Sequence, residues 1–164
     1  MAPASGYDPV MSALFLEDLQ VGQRFTSAAQ TIDADAIRAF AAAWDPQPFH
    51  LDDAAAAGTL FGGLVASGWH TAALTMRLLV TSGLPLAGGI IGSGGMLAWE
   101  RPVRPGDTLH VTCEVLEVTP SRSRPDRGTV RVRCLTVNQN GETVQSFTPK
   151  LVVTRRPARE TADG

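Results

Sequence analysis

The spacing of apolar positions changes along the chain, from helical in the first half to alternating in the second. Ile37, Phe40, Ala41 and Trp44 recur at helical intervals. Asp33 stands where an N-cap would, and Asp35 falls in the first turn, where the helix dipole favours an anion. Asp45-Pro46 ends this helix, because proline restricts the residue before it. A short helical piece over residues 52–57 precedes Gly58. The longest helix is predicted over residues 67–82, ended by Gly83 and Pro85. It mixes Ala66, Gly68, Ala72 and Ala73 with Leu74, Met76, Leu79 and Val80. A helix apolar over so much of its surface is expected to be buried, and its small residues would let a sheet approach closely.

Strand signals flank and follow these helices. A short strand is predicted within residues 21–31. Gly89-Ile90-Ile91 and Met96-Leu97-Ala98-Trp99 read as one glycine-interrupted strand region. Leu109, Val111, Cys113 and Val115 alternate with polar residues, as do Val130, Val132 and Cys134. Arg104-Pro105-Gly106-Asp107 is a turn, and Asn140-Gly141 is the strongest hairpin signal in the chain. The last strand is expected over residues 144–154, with Pro149 at an edge or a bulge. A long buried helix has to be covered, and only the strands can cover it. The fold class is therefore α+β, one curved antiparallel sheet wrapped around a long central helix. The open face or edge of such a sheet usually meets a second copy, so a homodimer or higher homo-oligomer is expected.

Composition narrows the picture. The 164 residues suffice for one domain. It is placed at residues 13–155, between loose segments at 1–12 and 156–164. A net charge of −2 with no basic stripe argues against a nucleic-acid partner. No apolar run is long enough to span a membrane. The first residues carry neither a basic region nor an apolar core, so no signal peptide is read and the cytoplasm is the expected compartment. Cys113 and Cys134 fall on the valine side of their strands and are expected to be small core residues, not a disulfide or reactive thiols. Two cysteines and three histidines, without Cys-x-x-Cys or His-Glu-x-x-His, make no metal site. Gly92-Ser93-Gly94-Gly95 matches neither phosphate-loop pattern. A bent strand, or a close crossing of the helix, explains it better.

The candidate chemistry lies in Asp45-Pro46-Gln47-Pro48-Phe49-His50. Two prolines stiffen this stretch, which is expected to be a non-helical loop. Asp45 and His50 could hold one water between them. Residues 61–68 could supply a backbone N–H at a helix start, where an oxyanion can rest. Plainer roles compete: a local turn for Asp45, a packed loop position for His50, an N-cap for Ser67. No Gly-x-Ser-x-Gly elbow surrounds Ser67 to make it a nucleophile. His70 is expected to pack against a helix, His110 to be solvated, and Asp52 and Asp53 to be an N-cap pair.

Three segments in this order resemble the MaoC-like dehydratases, the (R)-specific enoyl-CoA hydratase family with the hot-dog fold. They are Asp45-x-x-Pro48-x-His50-x-Asp52, residues 61–68 ending in Gly68, and Arg101-Pro102-Val103-Arg104-Pro105-Gly106-Asp107. The resemblance covers about residues 15–155. It implies reversible hydration of trans-2-enoyl thioesters to (R)-3-hydroxyacyl thioesters. Asp45 and His50 would be catalytic, Gly68 would supply the oxyanion N–H, and Ser67 would stand beside it in the substrate site. The implied partner is an acyl-CoA or acyl-carrier thioester, and the implied reaction uses no cofactor and no metal. This chain has Gln47 where the family commonly has Asn, Ser67 where it has His, and Met76 where a serine is frequent. Arg122, Arg124 and Arg127 read first as a solvated loop, and second as contacts for coenzyme A phosphates. Two other readings stand beside the hydratase: a hot-dog acyl-CoA thioesterase with Asp45 as base, and a catalytically silent acyl-CoA-binding protein.

Overall fold

The computed structural model describes residues 13–158. Of the expected loose segments at 1–12 and 156–164, residues 1–12 and 159–164 lie outside the described residues. Arg156, assigned to the loose tail, is held: its guanidinium pairs with Asp18 at 2.7 Å and lies over the Phe15 ring.

The predicted first strand is two short ones, β1 (Arg24–Thr26) and β2 (Gln30–Thr31). Between them Ser27 turns inward, its hydroxyl accepting from Val111 N–H and donating to Ala28 C=O. Helix α1 (Ala34–Trp44) starts at Asp33, whose carboxylate accepts from Ala36 N–H at 2.7 Å. It buries Ile37 and Ala41, whereas Trp44 is exposed. The proline-stiffened stretch is not all loop. Residues Pro48–Leu51 form one helical turn, α2, with Pro48 at its first position. There the missing N–H is no loss and the fixed φ suits a helix. Helix α3 (Asp53–Ala57) follows, capped by Asp52. Asp53 is not a second cap; it pairs with Arg38 on α1.

Helix α4 (Gly68–Leu78) is the central helix, continued by a π-helical turn, Leu79–Gly83. Only one of its faces is buried, through Thr71, Leu74, Thr75 and Leu78. Trp69, Met76 and Val80 remain exposed in the single chain.

Four long strands follow: β3 (Ile91–Trp99), β4 (Thr108–Pro120), β5 (Arg127–Val137) and β6 (Thr143–Thr154). All pairings are antiparallel in the order β1-β4-β5-β6-β3, with β2 also on β4. The sheet packs on α4 through Leu109, Val111, Val115, Val130, Val132, Val144 and Leu151. This antiparallel sheet around a central helix is the hot-dog fold. Cys113 and Cys134 face each other across β4 and β5, with sulfurs 3.3 Å apart and no disulfide. The contact with Cys113, together with burial, keeps the Cys134 thiol protonated. Pro149 lies in an inner strand, not at an edge, opposite the β3 bulge between Gly92 and Gly95. Gly95 serves this neighbouring strand rather than a helix crossing. A Cβ on Gly95 would stand 2.8 Å from Pro149 Cα. No helix among the described residues is long and apolar enough to cross a membrane.

Candidate active site

Three backbone segments are knitted together at the N-terminal end of α4. Val65 N–H donates to Phe49 C=O, and Ala66 N–H donates to Val103 C=O. Arg104 Nη2 donates to Phe61 C=O at 2.6 Å, tying the 101–107 turn to the glycine-bearing segment. The segments singled out in the sequence therefore meet in space.

Asp45 follows the last turn of α1, and His50 lies on α2. His50 is 5% exposed. Its Nδ1 is 2.7 Å from Val65 C=O. A carbonyl only accepts, so Nδ1 carries a proton and donates. The other ring nitrogen, Nε2, is 3.3 Å from Asp45 Oδ2. In the neutral ring Nε2 is an acceptor that faces a second acceptor. That arrangement calls for a proton, or for a water donating to both. Phe49 meets the imidazole edge-on, with centroids 4.5 Å apart, and helps fix its plane.

The carboxylate is tied at both oxygens. Ser67 Oγ donates to Oδ2 at 2.6 Å, and Gln47 Nε2 donates to Oδ1 at 2.7 Å. The Ser67 bond is the main reason the Asp45 pKa lies below its ordinary value; burial opposes it, and Gln47 and His50 assist. Asp45 is therefore ionised at neutral pH. The expected N-cap role of Ser67 is present too, since its Oγ accepts from Trp69 N–H at 3.2 Å. Its bond to Asp45 and that of Gln47 were not foreseen; no sequence spacing signals a contact between residues 22 apart.

Gly68 begins α4, and its N–H donates to no group among the described residues. Gly68 lines a cavity of about 420 Å³ together with Asp45, His50, Phe61, Trp69 and Trp99. The absent side chain has a packing reason: a Cβ on Gly68 would fall 2.5 Å from the Trp99 indole. Trp99 was not singled out in the sequence, because only the β3 register brings it there. Arg101 also lines the cavity.

The remaining candidates lie elsewhere. His70 stacks flat on Phe40 at 4.6 Å, as expected of a packing residue, and burial lowers its pKa. His110 is half-buried rather than solvated. The arginine loop joins β4 to β5 at the end of that hairpin away from Thr136 and the site.

Residues 18–138 match the family model of the MaoC like domain. A MaoC-like dehydratase from Rhodospirillum rubrum is 64% identical, with a TM-score of 0.87 over 89% of this chain and 100% of its own. The 3-hydroxybutyryl-CoA dehydratase of Methylorubrum extorquens is 35% identical over 71% of this chain and 73% of its own length. An unliganded R-hydratase of Pseudomonas aeruginosa is 31% identical, with a TM-score of 0.72 over 88% of each chain.

Proposed function

The chain belongs to the MaoC-like domain family, and from that premise we propose that it reversibly hydrates trans-2-enoyl thioesters to (R)-3-hydroxyacyl thioesters. The observation that carries this reading is the contact of Asp45 Oδ2 with His50 Nε2 at 3.3 Å, in one cavity with Gly68 at the start of α4. Conjugation with the thioester carbonyl makes the β-carbon electrophilic. A water donating to Asp45 and to Nε2 is aimed at that carbon and activated as it attacks. The oxygen adds to the β-carbon as hydroxyl. The proton it gives up passes to the Asp45–His50 pair, and a proton from the pair is delivered to the α-carbon. As the imidazole gains a proton, Nε2–H donates to the ionised Asp45 and the ion pair is stabilised. Negative charge building on the thioester oxygen is met by the Gly68 N–H, reinforced by the α4 dipole; such a donor contributes about 3–4 kcal/mol. The chemistry requires no organic cofactor. The thioester carrier is coenzyme A or an acyl carrier protein, and the working form is a homodimer.

Crotonyl-CoA tests the reading, with loss of the conjugated enoyl absorbance as the signal. Wild type is expected to hydrate it. Asp45→Asn and His50→Ala are each expected to lower kcat/KM by roughly 10²–10⁴-fold, the usual scale of general acid–base help. Release of free thiol without loss of the double bond would favour a thioesterase instead. Tight binding with no turnover would favour a silent acyl-CoA-binding protein.

A further inference from the structure

A second, almost wholly apolar cavity of about 220 Å³ lies beside the catalytic one, between α4 (Ala72, Met76) and the sheet (Leu97, Phe147). Trp69 lines both cavities. Trp99 lines the catalytic one, while Leu97, two residues earlier on the same face of β3, and Gln145 line the apolar one. The two indoles meet edge to face, with centroids 5.0 Å apart. Trp99 is also braced from behind. Its Nε1–H donates to Gln145 Oε1 at 3.1 Å, and Gln145 is 1% exposed. Gln145 Nε2 in turn donates to Thr75 Oγ1, which shares a hydrogen bond with Thr136 Oγ1. On its front the ring occupies the space that a side chain at Gly68 would need, 2.5 Å from an added Cβ. Trp99 is 47% exposed in the single chain, yet its contacts with Trp69 and Gly68 and the bond at its nitrogen oppose a swing of the ring.

Resting on the hydratase reading above, we propose that Trp99, backed by Trp69 and Gln145, closes the catalytic pocket against the apolar cavity and restricts the substrate to short-chain enoyl thioesters. The catalytic cavity must hold the thioester, the two reacting carbons and the end of the carrier arm. That leaves room for a short acyl tail. A longer tail needs further apolar volume, and the adjoining cavity is on the far side of the indoles. Trp99→Leu removes the partition and joins the two spaces.

The test compares trans-2-enoyl-CoA substrates of increasing length, from crotonyl to decenoyl, on wild type and Trp99→Leu, each checked for folding by circular dichroism. Trp99→Phe keeps an aromatic partition without the Gln145 bond. Wild type is expected to prefer crotonyl-CoA, and Trp99→Leu to shift the decenoyl-to-crotonyl ratio of kcat/KM upward by at least about tenfold, chiefly through KM. Trp99→Phe should fall between them. Saturated butyryl-CoA and decanoyl-CoA, titrated by intrinsic fluorescence, read the partition without turnover. Wild type should bind the shorter one better, and the variant should lose that preference. Equal use of decenoyl- and crotonyl-CoA by wild type, or an unchanged ratio in Trp99→Leu, would overturn the proposal. Absence of hydration at every length with the binding preference intact would instead sink the hydratase reading and leave the partition standing as a binding filter.

Discussion

The Asp45 carboxylate stands just past the C-terminal end of α1, where the helix dipole disfavours negative charge by roughly 0.3–1 kcal/mol. It is nevertheless held ionised, because hydrogen bonds to a charged acceptor contribute about 1.5–3 kcal/mol each and Asp45 accepts from both Ser67 and Gln47. Ser67 is the larger influence, so Ser67→Ala should raise the Asp45 pKa. The acid limb of kcat/KM against pH would then move to higher pH, with the alkaline limb unmoved; an acid limb that stays in place would remove Ser67 from this role. A carboxyl held below its ordinary value of 3.8 contributes stability that is present above that pH and lost as pH falls through the lower folded value. Loss of the cap to Trp69 N–H adds about 1 kcal/mol of destabilisation, measurable by denaturant titration. Asp45, His50 and Gly68 were legible in the sequence because family spacing and backbone punctuation mark them. The second bond of Ser67, the hold of Gln47 on Asp45 and the seat of Trp99 were not, because each depends on which segments the fold brings together.

At the scale of elements, α2 and α4 aim the chemistry. One turn of helix after Pro48 places the His50 ring so that Val65 C=O takes Nδ1–H and Nε2 is left for Asp45. The prolines suggested a rigid non-helical loop, but Pro48 starts a helical turn instead of preventing one. The helix starts at Asp33, Asp52 and Ser67 were readable, since each residue's side chain caps its helix as its type predicts. The exposed face of α4 was not, because composition alone does not say which side of an apolar helix the sheet covers. Gly68→Ala separates propensity from packing. Helix propensity alone favours alanine by up to about 1 kcal/mol. The Trp99 ring, 2.5 Å from the added Cβ, reverses that sign, and overpacking of this kind costs roughly 1–3 kcal/mol. The expected result is a lower Tm for Gly68→Ala and a double variant with Trp99→Leu less destabilised than the sum of the two singles. Strict additivity would mean that the indole does not set this glycine.

At the scale of the molecule, β3 pairs with β6 alone among the described residues and is an edge of the sheet. Ile91, Met96 and Trp99 on it are exposed, as are Trp69 and Met76 on α4. An exposed, apolar, unpaired edge invites another strand, and a second copy of β3 is the expected partner. Light scattering should give a dimer, and Met96→Lys should shift it towards monomer; a wild-type monomer at micromolar concentration would contradict this. The alternation in β4 and β5 made the sheet readable, because one face of each strand is buried and the period is two. β3 was readable only through its glycines and apolar ends, since it is exposed on nearly every residue of the single chain. The product formed from crotonyl-CoA by the wild-type protein, identified by chiral chromatography alongside Asp45→Asn, tests the proposed hydration most directly. Wild type is expected to form (R)-3-hydroxybutyryl-CoA and the variant almost none; the (S) product, free coenzyme A, or equal yields from the two proteins would contradict (R)-specific hydration by Asp45 and His50.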